Sequence, residues 1–223
     1  MKIKIVTGFV PLPKHPRPAQ EYHVLADRFN DLRYPLSKTI CGVEDCWLWQ
    51  FAQNIPGLTH SIHDNPNKNT MAYHAVLHQK FEWLVRAACL DDAIDTFVYI
   101  DYGIFHLKDI TVPIIEALLD TVRVANYKEV SIPGCWSDQQ MTGARVAIPD
   151  SEPCWRFCGG VVVVPRPMVF PLYNAVRQNA ENHILKTRNV SWEVNTLARV
   201  EKAHALPVRW YAADHNKTMF TGF

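Results

Sequence analysis

The stretch Thr96-Phe97-Val98-Tyr99-Ile100-Asp101-Tyr102-Gly103-Ile104-Phe105-His106 decides the fold. Its first five residues are aromatic or β-branched and the run then meets a carboxylate, the pattern of a strand buried on both faces that ends at Asp101. In an open α/β sheet, ligands bind beyond the carboxyl ends of the strands. Asp101 is therefore placed to face a crevice, with Gly103 letting the backbone pass close to what binds there. A divalent metal holding a diphosphate suits that position. The same acid equally suits a cap on the turn or short segment that follows, and local spacing alone does not separate the two.

The remaining totals narrow the class. With 223 residues, 48% of them hydrophobic and 20% charged, the chain suffices for one large globular domain. Lys plus Arg number 23 against 22 Asp plus Glu, a net charge of +1. No global field draws it to nucleic acid or an anionic membrane, so any phosphate binding is local. The six cysteines, at 41, 46, 89, 135, 154 and 158, contain no C-x-x-C pair. Cys41/Cys46 and Cys154/Cys158 are too loosely spaced for a zinc motif, and reduced, mostly buried thiols are expected. Met1 to Gly8 enters a strand pattern without the apolar run of a signal peptide, and no later run reaches membrane-spanning length. A soluble, cytoplasmic protein with no transmembrane segment is the expectation.

Working outward, residues 2–9 form a first central strand, closed by a permissive Thr7-Gly8-Phe9 turn at the same sheet edge as Asp101. Pro11 to Pro18 carries four prolines with Lys14, His15 and Arg17, a stiff basic loop. Helical spacing predicts one amphipathic helix over Ala19–Leu32, another over Glu44–Asn54 ended by Pro56-Gly57, and the clearest one over Met71–Leu90. Ser37–Cys41 reads as a short strand, and Asn69 or Thr70 as the cap of the Met71 helix. Further helices are expected near Pro113–Arg123, Val169–Lys186 and Trp192–His204, and further strands at Val130–Pro133, after Gly159-Gly160, and from Val208; Cys135–Gln140 reads as irregular. Strands alternating with helices imply an α/β sandwich with a largely parallel sheet.

Several side chains can carry chemistry. Asp101 is a hard oxygen ligand for Mg²⁺ or Mn²⁺, and Asp214-His215 near the carboxyl end offers a second carboxylate and an imidazole. Lys80 reaches either a phosphate or solvent from its helix, and Arg17 is equally ambiguous. Glu193, at a helix start, suits capping as well as catalysis. Gly159-Gly160 admits a sugar ring close to the backbone or simply a tight turn.

In order, Ile5-Val6-Thr7-Gly8-Phe9, Asp64-Asn65-Pro66-Asn67-Lys68-Asn69-Thr70 with Tyr73, Gln79-Lys80-Phe81-Glu82-Trp83-Leu84, Tyr99 to Ile104, Phe157-Cys158-Gly159-Gly160, Trp192-Glu193 and Asp214-His215 span nearly the whole chain. Together they resemble small glycosyltransferases of the GT-A type, particularly the bacterial and large-virus group related to the HtrL/YibB proteins. The resemblance implies a single GT-A (Rossmann-like) α/β/α domain over residues 1–223 with a mixed, mostly parallel sheet. Its nucleotide-binding half would be about 1–106 and its acceptor-binding half about 107–223. It also implies transfer of a sugar from a nucleotide-diphosphate donor to a glycan or other hydroxyl acceptor.

On that pattern the donor nucleotide and diphosphate are expected against Thr7, Gly8, Phe9, Arg17, Tyr22, Lys80 and Tyr99, and the sugar or acceptor against Gly159, Gly160 and Trp192. The ion, Mn²⁺ or Mg²⁺, falls to Asp101 with His215 or Asp214. Many GT-A enzymes carry Asp-x-Asp at the metal strand, whereas Asp101-Tyr102-Gly103 leaves one carboxylate here. An inverting reaction needs a base, for which Glu193 stands first and Asp138 second. Two rivals remain: a nucleotidyltransferase acting on sugar phosphates, weakened by the proline-rich loop where a glycine-rich one is needed, and a non-catalytic glycan- or protein-binding domain.

Overall fold

A computed structural model describes residues 1–12, 17–62, 66–125, 127–143 and 148–223. Residues 13–16 of the proline-rich loop, with Lys14 and His15, and Asp64-Asn65 of the asparagine-rich turn lie outside them. The strands are β1 (Ile3–Phe9), β2 (Leu36–Ile40), β3 (Thr59–His60), β4 (Thr96–Ile100), β5 (Val130–Gly134), β6 (Val161–Pro165), β7 (Asn189–Val190) and β8 (Val208–Ala212). The helices are α1 (Ala19–Ala26), α2 (Trp47–Ala52), α3 (Met71–Leu90), α4 (Val112–Ala125), α5 (Asp138–Gly143), α6 (Arg166–Thr187), α7 (Glu193–Lys202) and α8 (Thr218–Thr221).

Six strands make one sheet in the order β2-β1-β4-β6-β5-β8, and β3 pairs with β7 in a separate small ribbon. Within the large sheet β6 alone runs antiparallel to its neighbours. The chain leaves β5 and enters β6 at the same sheet edge, so β6 must run backwards, and its first residues land beside the end of β4. All five residues of β4 are buried. Phe97 and Tyr99 face one core with α3, α6 and α7; Val98 and Ile100 face the other with α4 and α8. This two-sided burial is why β4 reads as a continuous apolar run rather than an alternation.

The structure departs from the sequence expectations locally. Phe9 and Gly8 are strand, not turn. The helix expected over Ala19–Leu32 tightens after Ala26 into a 3₁₀ segment, Asp27–Asp31. The one expected over Glu44–Asn54 is a 3₁₀ turn, Val43–Asp45, followed by α2, and α5 begins inside the stretch that reads as irregular. The β3–β7 ribbon and α8 have no counterpart in the sequence expectations, because two- and four-residue elements carry no period. Thr70 is confirmed as the cap of α3, its hydroxyl accepting from the Tyr73 amide at 3.1 Å. Among the described residues no helix is long and apolar enough to cross a membrane.

Candidate active site

A cleft of about 750 Å³ opens at the carboxyl ends of β1 and β4, within the size typical of small-molecule sites. Its walls include Gly8, Phe9, Arg17, Tyr22, Lys80, Tyr99, Asp101, Gly159, Gly160, Trp192, Glu193 and His215. Thr7, Asp138 and Asp214 are not among the lining residues. Thr7 is buried in mid-strand. Asp138, 82% exposed, forms an ion pair with Arg156 at 2.6 Å. Asp214 turns its Oδ1 to Cys135 Sγ (3.6 Å) and to the His215 amide (2.6 Å).

At the floor of the cleft three charged groups meet. Lys80, on α3 and only 2% exposed, lies 3.2 Å from Glu193 Oε1 and 3.8 Å from Asp101 Oδ1. Its ammonium also donates to the Gly159 carbonyl at 2.5 Å and stands 5.1 Å from the Tyr99 ring centroid. The Tyr99 hydroxyl donates to Asp101 Oδ1 at 2.7 Å. Burial first, then the neighbouring Asp101 carboxylate, push the Tyr99 phenol well above its ordinary range. It stays a neutral donor.

The pairing arises from the sheet. The Asp101 amide donates to the Gly160 carbonyl at 2.9 Å, continuing the β4–β6 ladder in which Ile100 faces Val161. Residues 101 and 160 are thereby joined although α4, β5 and α5 lie between them in the sequence.

The side chains whose local role the sequence leaves open have definite partners. Asp101 does not cap its turn: the Ile104 amide goes to the Asp101 backbone carbonyl, while the side chain takes the Tyr99 hydroxyl. Glu193 is the first residue of α7, whose N-cap Trp192 makes no side-chain capping bond, and the amides of Asn195 and Thr196 donate to the Trp192 carbonyl. Its carboxylate points to Lys80 instead. Lys80 is not a solvated lysine but a buried one. Gly103 has φ −91°, a conformation open to any residue. Space decides there, since a methyl at 103 would strike the Tyr22 ring; at Gly8 it would strike the Trp83 indole, and at Gly159 the Glu193 carboxylate.

An aromatic wall closes the β1 side. Phe9 stacks on Tyr102 with centroids 5.0 Å apart and meets Tyr22 at 5.3 Å, while the Arg17 guanidinium lies 5.1 Å from the Tyr22 centroid. Burial raises the Tyr22 phenol, opposed in part by Arg17. Sequence reading gave no site role to Tyr102, Trp83, Trp155 and Tyr73, which also line the cleft. For Tyr102 the available signal was its position one residue after Asp101.

No family model and no curated protein matches the chain. Among solved structures it is similar to a glycosyltransferase involved in the glycosylation of the major capsid of PBCV-1. The TM-score is 0.54 at 11% identity, over 96% of this chain and 82% of that one. The fold is of the GT-A type. Mouse xyloside xylosyltransferase 1 in its apo form gives a TM-score of 0.48 at 10% identity, over 94% of this chain and 85% of that one. A CMP:2-keto-3-deoxy-manno-octonic acid synthetase complexed with CTP gives 0.47 at 12%, over 96% and 90%. The fold assignment rests on the first of these three.

Proposed function

We propose that this protein is a nucleotide-sugar-dependent glycosyltransferase, of the small GT-A kind related to the HtrL/YibB group, that moves a sugar from a nucleotide-diphosphate donor to a hydroxyl acceptor. The observation that carries the reading is the meeting of Asp101, Lys80 and Glu193 in one cleft against the Gly159-Gly160 backbone. Residues 1–106 would supply the donor side, with Phe9, Tyr22 and Arg17 flanking the nucleoside. Residues 107–223 would supply the acceptor side, with Gly159, Gly160 and Trp192 against the sugars.

The site suits a hard divalent ion in a limited way. Asp101 is 45% exposed, and its Oδ2 has no hydrogen-bond partner among the described residues. One open carboxylate oxygen is a donor set that Mg²⁺ or Mn²⁺ completes with phosphate oxygens and water. Such an ion, held by Asp101, would supply Lewis-acid charge where the diphosphate departs.

The protein's own groups do the rest. Lys80 lies too deep and too fully engaged to act as a simple phosphate hook; it fixes both carboxylates in place. Glu193 lines the cleft with its Oε2 buried and unpartnered among the described residues, an arrangement that is costly unless a water or substrate hydroxyl donates to it. In this reading Glu193 is the general base, with the acceptor hydroxyl or a relaying water brought to that oxygen when substrate binds.

Calorimetric titration with UDP and GDP, with and without Mn²⁺, tests the reading together with an assay of donor hydrolysis. Nucleotide binding strengthened by the ion, slow donor hydrolysis, and loss of both in Asp101→Ala at unchanged melting temperature are the expected results. Absence of nucleotide binding would leave a glycan- or protein-binding domain. Release of pyrophosphate from a nucleoside triphosphate and a sugar phosphate would make it a nucleotidyltransferase.

A further inference from the structure

A second set of ligand-capable side chains lies at the rim of the cleft. Cys135, Cys158 and His215 place a sulfur, a sulfur and a ring nitrogen all within 4.8 Å of one another, and the two sulfurs are 3.5 Å apart. Asp214 Oδ1 stands 3.6 Å from Cys135 Sγ and 3.3 Å from His215 Nδ1. These residues come from three adjacent strand ends: Cys135 follows β5, Cys158 precedes β6, and His215 follows β8. Backbone bonds hold the ends in register, the Cys158 amide donating to the Pro133 carbonyl at 2.7 Å and the Ala213 amide to the Gly134 carbonyl at 2.9 Å. The sheet therefore fixes the donors before any ion arrives.

We propose that Cys135, Cys158 and His215 bind one zinc ion, with Asp214 orienting the imidazole. Two thiolates and an imidazole are a soft-to-borderline donor set that favours zinc over Mg²⁺ or Mn²⁺. Tetrahedral zinc with bonds of about 2.3 Å to sulfur sets two thiolates about 3.8 Å apart, close to the spacing already present. Binding releases the two thiol protons to solvent and leaves each sulfur its electron pairs, so no oxidant is needed.

Three protein ligands leave a fourth position for water or a substrate atom. Cys158 is buried and Cys135 half-buried, whereas His215 lines the cleft and stacks edge-on to Trp155 at 4.7 Å, so the open position faces the cleft. Zinc here occupies His215, and a hard ion at Asp101 then completes its shell from donor oxygens and water alone. The assignment stands on these donors and not on the reading of the cleft as a donor-sugar site.

The full chain, purified under reducing conditions, is equilibrated with Zn²⁺, desalted and measured for metal by mass spectrometry, with Co²⁺ substitution as the spectroscopic readout. One zinc per chain and a tetrahedral cobalt spectrum with thiolate-to-cobalt charge transfer are expected. Cys135→Ser, Cys158→Ser and His215→Ala should each lose stoichiometric metal. The half-exposed His215 variant keeps the test valid if a serine variant fails to fold. Asp214→Asn should weaken zinc binding about tenfold or more, the usual effect of removing a group that orients a ligand. Cys89→Ser and Asp101→Ala should retain zinc. The proposal is overturned by less than stoichiometric zinc in the wild type, by zinc that survives the ligand substitutions, by a cobalt spectrum without charge transfer, or by a Cys135–Cys158 disulfide in the reduced preparation.

Discussion

Lys80 sits with its ammonium shared between Glu193 Oε1, the Gly159 carbonyl and, at longer range, Asp101. Removing it leaves a buried carboxylate at Glu193, itself only 5% exposed, without a countercharge. Lys80→Met should therefore cost about 3–5 kcal/mol of stability in urea unfolding. Glu193→Gln in the same background should restore much of that, and simple additivity of the two effects would show the pair to be uncoupled. Glu193→Gln alone should lower the transfer rate by a factor of about 10²–10⁴ with nucleotide affinity unchanged, as for loss of a general base. Comparable rates in the two proteins would remove Glu193 from that role. None of this was legible at position 80, since helical spacing identifies a face but not the partner across 113 residues.

At the scale of elements, α3 and α7 are joined again close to that ion pair, by His78 two residues before Lys80 and Thr196 three residues after Glu193. His78 Nδ1 donates to the His74 carbonyl at 2.9 Å and its Nε2 meets Thr196 Oγ1 at 3.0 Å, while His74 Nε2 donates to the Ser61 carbonyl at 3.2 Å. Burial, the largest cause in each, lowers His74 to about 4 and His78 to about 3. The unfolded chain takes up these protons near pH 6.5 and the folded protein only near pH 3–4. The unfolded state binds more protons in that window, so stability falls with falling pH by up to about 1.4 kcal/mol per pH unit per histidine. Urea midpoints measured from pH 7 to pH 4 should fall accordingly, and His78→Gln should flatten the slope. A midpoint independent of pH would show both rings to be solvated. The loop before β6 is coupled to the same helix. Gly159→Ala should displace Glu193 and cost about 1–3 kcal/mol through overpacking, read by thermal melting.

At the scale of the whole molecule, the six-stranded sheet is drawn from both halves of the chain. Strands β2, β1 and β4 come from residues before 107, and β6, β5 and β8 from those after it. A fragment of residues 1–106 would keep β4 but lose β6, exposing a ladder edge on a strand whose five residues are all buried. It should be unfolded or aggregated by circular dichroism; a cooperatively folded fragment would show the halves to be separate domains.

What the sequence determined by itself is the class of fold, the buried strand ending at Asp101, the long helix carrying Lys80 and the acid at the start of α7. Each rests on local periodicity, burial or turn chemistry that the chain carries without reference to distant residues. Only the tertiary structure decided that β6 runs antiparallel and sets Gly160 beside Asp101, that Lys80 faces Glu193 and not solvent, and that Cys135, Cys158 and His215 converge. Those outcomes depend on which strand lies beside which, and a chain folded through many intervening residues leaves no local pattern from which strand order can be read.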